Sequence, residues 1–475
     1  MPYFHYRSLD ELRADALARA IALPLSEDLA SLAQPVRIGG FVASNRMAVH
    51  PMEGCDGNVD GTPGELTFRR WRRFAEGGAA VVWGEATAVV PEARANPRQL
   101  LISRETALEL KRLLTETRDA RRARFGGDEG FIVGVQLTHS GRWSHAGPII
   151  TQHGGAIDAV KHCEQRPLLS DAELERLIDR FVEAATLARD IGFDFVDIKQ
   201  CHTYLLNELL GARSRQGAFG GSFEHRTRFV RDVFARIRDR LGDSIAVATR
   251  MNVFDGVPYT GGPDGIGWPA AHDVPYVDAW GTDLDDPTRP DLGEPLRLIG
   301  ELRELGLSML NVSTGSPYYN AHIGRPFEKP PVDGYTPPEH PLAGVARHFA
   351  LAEQVQRAYP DLPVIGTGYS WLRHFAMHAG AANVASGAIT MVGLGRGALA
   401  YPDFAADVLD GTGMQRDKSC IGVSYCTALM RAKHNAEGQY PTGCVPRDRL
   451  YADAFREARR TEGWQAVGAP PSPRG

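Results

Sequence analysis

The chain has 475 residues, of which 43% are hydrophobic and 23% are charged, and its formal net charge at pH 7 is −5. This is an ordinary globular composition with enough chain for a large core, and the slight negative charge argues against binding to nucleic acids or membrane surfaces. The sequence has no run of roughly 18 apolar residues, no signal-peptide core at its N-terminus and too few cysteines for a disulfide scaffold, so we expect a cytoplasmic protein.

Eight short apolar runs, each ending in polar residues, are predicted to be β-strands. In chain order they span residues 47–52, 79–89, 131–139, 193–202, 244–252, 307–315, 362–369 and 388–396. Helical patterns lie between most of them. The clearest helix begins with a capping box of Ser170 and Glu173 and is followed by Gly192, a residue suited to a helix C-terminus.

This alternation predicts an α/β fold, a (β/α)8 barrel of TIM type. A doubly wound sheet is the alternative. That fold should carry a Gly-x-Gly-x-x-Gly turn after its first strand, and residues 50–61 hold no such turn. We expect an N-terminal helical extension at 1–35, the barrel at 36–410 and a C-terminal extension at 411–475, of which residues 468–475 are predicted to be disordered.

Three predicted connections are unusually long for a compact domain. They span residues 140–168, 253–295 and 315–340. All three follow the carboxyl ends of strands, the face on which barrels carry their active sites. We therefore expect these connections to form lids or walls of a pocket.

Reactive side chains cluster at the carboxyl ends of the predicted strands. The fourth strand delivers Lys199, His202 and Tyr204 within six positions. The seventh and eighth strands end in Gly368, Tyr369, Gly395 and Arg396, where barrels commonly bind phosphate. The other strand ends carry Pro51, Met52, Ala86, Gln136 and Arg250.

Fragments on these strands resemble the Old Yellow Enzyme family of FMN-dependent oxidoreductases. The resemblance runs from about residue 37 to 404 and includes NRMAVHPM, GVQLTHSGR, VDIKQCHTYLLNELL, LNVSTGSPYY, PVIGTGY and LGRGALAYPDF. It implies an enzyme that transfers hydride between flavin N5 and a conjugated carbonyl compound. It also implies one bound FMN, a small-molecule substrate, and NADH or NADPH as the external reductant. Association into a homo-oligomer is left open.

The resemblance also assigns the cofactor contacts. The backbone at Pro51, Met52 and Ala86 would meet the flavin ring, Gln136 its pyrimidine edge and Arg250 its N1–O2 edge, while Gly368, Tyr369, Gly395 and Arg396 would hold the phosphate. In the related trimethylamine dehydrogenase group, a cysteine two residues after the proline binds the flavin covalently. Glu53 occupies that position here and Cys55 lies two residues further on, so we expect a non-covalent flavin.

The catalytic stretch departs from the family pattern at one position. Family members bind the substrate oxygen through a histidine and a second histidine or asparagine, and a tyrosine then protonates the α-carbon. His202 and Tyr204 match this pattern, but Lys199 replaces the first histidine. Its ammonium would favour an oxyanion such as an enolate, phenolate or carboxylate. The alternative is an ion pair of Lys199 with Asp197 or Glu85, without substrate contact.

The C-terminal extension carries part of a cysteine pattern. Longer family members bind a [4Fe–4S] cluster through four cysteines after the barrel, and Cys420, Cys426 and Cys444 resemble three of them. Val423 occupies the middle position of the first group. We predict no cluster and no other metal. Two alternatives to the main reading are an amine dehydrogenase of the trimethylamine dehydrogenase type and a barrel that binds flavin or isomerises a ligand without net redox.

Overall fold

The computed structural model describes residues 3–464. The segment predicted to be disordered, 468–475, lies outside this range. The strands are β1 (Val36–Ile38), β2 (Phe41–Ala43), β3 (Met47–Val49), β4 (Val81–Ala88), β5 (Ile132–Thr138), β6 (Phe195–Ile198), β7 (Ala246–Phe254), β8 (Tyr259–Gly261), β9 (Gly267–Pro269), β10 (Leu307–Thr314), β11 (Val364–Gly366) and β12 (Met391–Leu394).

Helices fill most of the connections between these strands. They are α1 (Leu9–Ala18), α2 (Glu65–Glu76), α3 (Ala107–Phe125), α4 (Gly155–Lys161), α5 (Asp171–Ile191), α6 (Leu205–Leu210), α7 (Phe223–Leu241), α8 (Gly293–Glu304), α9 (Ala321–Gly324), α10 (Pro341–Ala358), α11 (Ala376–Ala385), α12 (Arg396–Ala400), α13 (Phe404–Leu409), α14 (Tyr425–Arg431) and α15 (Arg449–Thr461). In the described part of the chain, no helix has both the length and the apolar character needed to cross a membrane.

Eight of the strands form a closed parallel barrel, which confirms the predicted fold. Their order around the barrel is β3, β4, β5, β6, β7, β10, β11 and β12, with β12 pairing again with β3. The first predicted run, 47–52, is a strand only over Met47–Val49. It ends early because Pro51 has no N–H to donate to a neighbouring strand.

The helix layer packs on the barrel through stripes of apolar side chains. Helix α5 has the predicted capping box, in which Ser170 Oγ accepts from the Glu173 N–H at 3.3 Å and the Glu173 carboxylate accepts from the Ser170 N–H at 2.7 Å. Gly192 ends the helix in the left-handed region, with φ of 108°. The helix buries Leu174, Ile178 and other apolar residues, each worth about 1.5–3 kcal/mol.

The amino-terminal end of the barrel is filled by apolar side chains. The antiparallel hairpin β1–β2, which the sequence did not predict, buries Ile38 and Ala43 against barrel residues such as Trp83, Phe195 and Met391. This packed floor leaves the carboxyl ends of the strands as the end of the barrel that can hold a ligand.

The three long connections lie in layers above the carboxyl ends of the strands. The segment 140–168 is held by Arg142, whose fully buried guanidinium donates to Glu208 at 2.8 Å and pairs with Asp158. The segment 253–295 contains the hairpin β8–β9. Its Tyr259 packs on Tyr335 of the segment 315–340, with ring centroids 5.8 Å apart.

The C-terminal extension folds onto the barrel as a small helical unit. Helices α14 and α15 share a core that includes Leu429, Val445 and Phe455. The unit is attached to the barrel by Asp448, which pairs with Arg69 at 2.8 Å, and by the Thr442 N–H, which donates to the Gly54 carbonyl at 2.6 Å. The extension therefore covers one side of the barrel mouth.

Candidate active site

A cavity of about 1200 Å³, including its open mouth, lies at the carboxyl ends of the barrel strands. Eleven of the twelve predicted site residues line it, namely Pro51, Met52, Ala86, Gln136, Lys199, His202, Tyr204, Arg250, Gly368, Gly395 and Arg396. Tyr369 is the exception. Its side chain is buried in the helix layer, where its hydroxyl accepts from Asn383 Nδ2 at 2.7 Å. Its neighbours Gly368 and Ser370 line the cavity instead.

A tight turn after β6 presents the catalytic candidates to this cavity. His202 and Thr203 both adopt left-handed backbone angles, with φ of 67° and 54°. Such angles are strained for residues with a β-carbon and persist where the surroundings enforce them. Here the Thr203 N–H donates to Asn207 Oδ1 at 2.6 Å, and Trp143 Nε1 donates to the Thr203 carbonyl at 3.1 Å. The turn is therefore held from both sides.

Lys199 is buried directly beside Tyr204, the tyrosine predicted to be catalytic. Its side chain is 5% exposed, and its ammonium lies 3.8 Å from the centroid of the Tyr204 ring. Burial lowers the pKa of Lys199 from its ordinary value. The positive charge lies over the face of a phenol ring, an arrangement that attracts a cation when both groups are desolvated.

The two carboxylates proposed as ion-pair partners of Lys199 are engaged elsewhere. Asp197 accepts from Trp83 Nε1 at 2.7 Å and from the Arg250 N–H at 2.8 Å. Glu85 accepts from Trp71 Nε1 at 3.0 Å and pairs with a buried arginine. Within residues 3–464 no carboxylate lies within 4.0 Å of the Lys199 ammonium. Lys199 is thus directed at the cavity rather than at either acid.

Tyr204 has a second tyrosine as its hydrogen-bond partner. The two hydroxyl oxygens of Tyr204 and Tyr318 are 2.9 Å apart. The Tyr318 ring stacks on Trp143, with centroids 3.9 Å apart and an interplanar angle of 11°. Burial raises the pKa of Tyr204 well above its ordinary value and that of Tyr318 to about 12. Both phenols therefore keep their protons at neutral pH.

Two guanidinium groups at separate places in the cavity have unpaired donors. Arg250 Nε and Arg396 Nη1 are buried and have no hydrogen-bond partner among the described residues. An unpaired buried charge is costly, so such donors mark positions where an anionic group is stabilised. A dianionic phosphate at Arg396 and the electron-rich pyrimidine edge of a flavin at Arg250 fit these two positions.

Glycine is required where the backbone approaches the phosphate position. Gly368 has φ of 100°, and a β-carbon there would lie 2.8 Å from the β-carbon of His348. A β-carbon on Gly395 would meet Met52 Sδ at 3.0 Å. A larger residue at Gly368 would therefore be strained and would displace His348, whereas at Gly395 only the flexible end of Met52 would have to shift.

Gln136 is oriented by the barrel rather than by solvent. Its amide nitrogen donates to Asp197 Oδ2 at 2.5 Å. This hydrogen bond leaves the amide oxygen as the group that can face the cavity, which Gln136 lines. The assignment of amide oxygen and nitrogen follows from this hydrogen bond. The residue can therefore offer a fixed polar contact to the edge of a bound ring.

Several cavity residues were not among the predicted site residues. Glu53 lines the cavity, and burial raises its pKa to about 7. Its place two residues after Pro51 was a usable signal, although the family pattern points there only to an absent cysteine. Tyr318 comes from the connection 315–340, which was expected to form a wall. Thr427 and Arg431 come from α14, and nothing in the sequence pattern placed this helix at the cavity.

The long connections differ in what they contribute. The segment 315–340 provides Pro317, Tyr318 and Arg325 to the cavity wall, as expected. No described residue of 140–168 lines the cavity, so the expectation of a pocket wall was wrong for that connection. It was also wrong for 253–295, since none of its residues is among the described residues that line the cavity. Its hairpin packs on the segment 315–340 and lies one layer further out.

The three cysteines of the C-terminal extension are free thiols. In the part of the chain that the structure describes, no group of three or more His, Cys, Asp or Glu residues is arranged to hold a metal ion. Cys420 and Cys426 lie close enough to Arg396 to influence its charge. The cysteine pattern thus adjoins the proposed phosphate position.

The chain was compared with known proteins. The model of the NADH:flavin oxidoreductase / NADH oxidase family matches residues 31–273. An NADPH dehydrogenase of Geobacillus sp. (strain WCH70) is 30% identical over 244 residues, covering 48% of this chain and 68% of that protein. The 4,4'-dithiodibutanoate disulfide reductase of Rhodococcus erythropolis is 29% identical over 231 residues, covering 48% of this chain and 55% of that protein.

Solved structures share the fold. The Old Yellow Enzyme homologue of Zymomonas mobilis aligns with a TM-score of 0.55 and 20% identity over 82% of this chain and 94% of that chain. A 2-naphthoyl-CoA reductase in complex with 2-naphthoyl-CoA aligns with a TM-score of 0.65 and 17% identity over 90% of this chain and 58% of that chain. Histamine dehydrogenase from Rhizobium sp. 4-9 aligns with a TM-score of 0.61 and 18% identity over 93% of this chain and 54% of that chain.

This chain spans 58% of the naphthoyl-CoA reductase and 68% of the Geobacillus enzyme. The family model covers half of the chain and includes β3 to β7 with the catalytic turn. The chain therefore belongs to the NADH:flavin oxidoreductase / NADH oxidase family of FMN enzymes, as its resemblance to the Old Yellow Enzymes predicted.

Proposed function

We propose that this protein transfers hydride between FMN and a conjugated carbonyl compound, or a related substrate that forms an oxyanion, with NADPH or NADH as the external reductant. The observation that carries the proposal is the meeting of Lys199, His202 and Tyr204 in one cavity with the unpaired donors of Arg250 and Arg396. The relatives named NADPH dehydrogenase support the choice of reductant.

Cofactor binding would use both ends of the cavity. Arg396 and the backbone at Gly368 and Gly395 would hold the phosphate, and Gln136 and Arg250 would hold the edge of the ring. When bound there, FMN supplies the hydride-transferring atom N5. The Arg250 charge would also favour the negative charge of the reduced ring, because positive groups in a water-poor site act strongly on charge that develops nearby.

The chain's own residues would bind the substrate oxygen and deliver the proton. His202 and Lys199 would donate to the oxygen, so that negative charge is stabilised as hydride reaches the β-carbon. Tyr204 would then give its proton to the α-carbon. A phenol with a raised pKa is protonated at neutral pH, and this is the form that a general acid needs.

The charge of the cavity argues against a cationic amine as substrate. Among the described residues, the lining contains Lys199 and four arginines but one carboxyl group, that of Glu53. An amine dehydrogenase would instead be expected to offer aromatic or acidic contacts to an ammonium. The structural likeness to histamine dehydrogenase concerns the fold.

The test of the proposed function is anaerobic stopped-flow spectroscopy of the purified flavoprotein. NADPH or NADH should bleach the oxidised flavin, and a panel of enones and quinones should restore it. Simple amines should not reduce the flavin. A flavin that neither nucleotide reduces, or that no member of the panel reoxidises, would contradict the proposal.

Iron and sulfide assays of anaerobically purified protein separate this function from the amine dehydrogenase. We expect neither iron nor sulfide in the protein, because Val423 cannot ligate iron. About four irons per chain would show that another ligand completes the cysteine group and would favour the amine dehydrogenase.

A further inference from the structure

Tyr204 has little direct contact with solvent from which to recover a proton. Its side chain is 3% exposed, and its hydroxyl is bonded to that of Tyr318, 2.9 Å away. A general acid must be reprotonated before each new turnover. Tyr318 is partly exposed at the cavity wall, so the pair forms a path from the interior towards the mouth.

A cation from the C-terminal extension faces the second phenol. The Arg431 guanidinium carbon lies 4.9 Å from the centroid of the Tyr318 ring. Arg431 is fixed there because it donates to Asp333 at 2.7 Å and to the Pro317 carbonyl at 3.0 Å. A positive charge at this distance stabilises a phenolate more than a phenol.

Other charged and titratable groups face this pair from neighbouring elements. Lys199 and His202 lie beside Tyr204. Glu53 and Cys55 are close enough to act electrostatically on both Tyr204 and Tyr318. Lys199 favours a phenolate on Tyr204, whereas an ionised Glu53 opposes one on either ring. Two groups in contact with Tyr318 favour its phenolate: the Arg431 guanidinium, through its positive charge, and the Tyr204 hydroxyl, through its hydrogen bond.

We propose that Tyr318 reprotonates Tyr204 after each turnover, and that Arg431 of the C-terminal extension stabilises the transient Tyr318 phenolate. This proposal rests on the proposed function. First the Tyr204 O–H bond breaks as a C–H bond forms at the substrate α-carbon; the hydride that the β-carbon gains is the chemistry that bound FMN would supply. The Tyr318 proton then moves to Tyr204, and the Tyr318 phenolate takes a proton from water at the cavity mouth.

The relay makes an unusual kinetic prediction for Tyr318→Phe. Pre-reduced enzyme mixed with an enone should complete its first turnover near the wild-type rate, since Tyr204 already carries a proton. With excess NADPH, later turnovers should be slower by about 10²-fold, the usual contribution of a positioned acid or base. The progress curve should therefore show a burst of one product per flavin.

The matched control is Tyr319→Phe, which removes a neighbouring buried phenol whose hydroxyl bonds to Thr203 and, among the described residues, not to the Tyr204 hydroxyl. We expect no burst from it. If Tyr318→Phe slows the first and later turnovers equally, Tyr318 only positions Tyr204 and the relay is overturned. If wild-type flavin is reoxidised by no enone or quinone of the panel, both the relay and the proposed function are overturned. If wild-type enzyme turns over normally and Tyr318→Phe shows no burst, the relay is overturned and the proposed function stands.

The role of Arg431 is tested without turnover. In isotope-labelled holoenzyme, the NMR signal of Tyr318 Cζ, assigned by its loss in Tyr318→Phe, reports ionisation of that phenol against pH. Arg431→Met should move the ionisation to higher pH, because the phenolate loses its cation, and Arg431→Lys should restore most of the shift. An ionisation that is identical in wild type and Arg431→Met would overturn the role of Arg431. Flavin content and melting temperature show that the variants are folded.

Discussion

At the scale of single residues, we expect Lys199 to have the largest influence on which substrates the cavity accepts. Its ammonium is a buried charge next to the Tyr204 ring, with no carboxylate partner in the described chain. A charge held in this way interacts strongly with negative charge that forms nearby, because little water is present to screen it.

Replacing Lys199 by Met keeps much of the side-chain volume and removes the charge. We expect reoxidation of the flavin by substrate to slow by roughly 10²–10³-fold, about 2.7–4 kcal/mol, with FMN still bound. Lys199→His should partly restore turnover of simple enones, and Tyr204→Phe should slow protonation while sparing flavin reduction. Stopped-flow kinetics of both half-reactions measure these effects. Near-normal reoxidation in Lys199→Met would show that the lysine does not act on the substrate.

Glu53 should make stability fall as pH rises. Burial raises its pKa to about 7 from an ordinary value of 4.5. Below pH 4.5 the carboxyl is protonated in both the folded and the unfolded chain, and its contribution to the free energy of unfolding is fully present. This contribution is lost as pH rises towards 7, because the unfolded chain releases the proton at a lower pH than the folded chain does.

Glu53→Gln removes this ionisation and keeps an oxygen for Asn96. Denaturant unfolding between about pH 5 and 8 measures the free energy of unfolding of both proteins. That of the variant should rise relative to wild type with increasing pH, by up to about 3 kcal/mol, since one pKa unit is worth about 1.4 kcal/mol. A pH-independent difference between the two proteins would show that Glu53 is ionised throughout.

At the scale of elements, the connection 140–168 is held by a buried charge network. Arg142 reaches Glu208 of α6, and Glu208 also accepts from the Thr151 N–H at 2.6 Å. The same connection carries Trp143, which stacks on Tyr318. The network therefore links the position of the loop to that of the proton donor pair.

Arg142→Ala should lower the free energy of unfolding by about 3–5 kcal/mol, because Glu208 and Asp158 would be left as buried unpaired charges. Turnover should fall with it, as Trp143 loses its fixed position. The matched control is Arg180→Ala, which breaks an exposed pair with Glu183 and should cost less than about 1 kcal/mol. Equal costs in urea unfolding would contradict the proposed difference between buried and exposed pairs.

At the scale of the whole molecule, the cavity is completed by segments that are far apart in sequence. The barrel provides the positions for the flavin, and the C-terminal extension brings Arg431 and Thr427 to the mouth. Thr427 Oγ1 accepts from Arg325 at 2.9 Å, which joins the extension to the wall formed by 315–340.

The whole molecule should bind one FMN that acid releases. Arg396→Ala should lose most of its flavin, because a charge-assisted bidentate contact to phosphate is typically worth about 1.5–3 kcal/mol. Absorbance of the purified proteins and equilibrium binding of added FMN measure the effect. A wild-type protein that FMN cannot reconstitute would contradict the assignment of the site.

The sequence alone determined the barrel and placed eleven of the twelve predicted site residues at its cavity. Apolar runs ending in polar residues marked all eight strands, and the capping box at Ser170 and Glu173 marked the start of α5. These signals are local, since each depends on side chains only a few residues apart. Because parallel strands end on one face, the residues at their ends were bound to meet there.

Only the tertiary structure decided which side chains act together. The sequence left Lys199 between a substrate contact and an ion pair, and the packing of Asp197 and Glu85 against other donors removed the partners for that pair. The sequence also gave no sign that the Tyr318 hydroxyl bonds to that of Tyr204, or that Arg431 lies over the Tyr318 ring. Such contacts join segments separated by more than a hundred residues, and they depend on how loops and the extension pack, which no periodicity in the chain records.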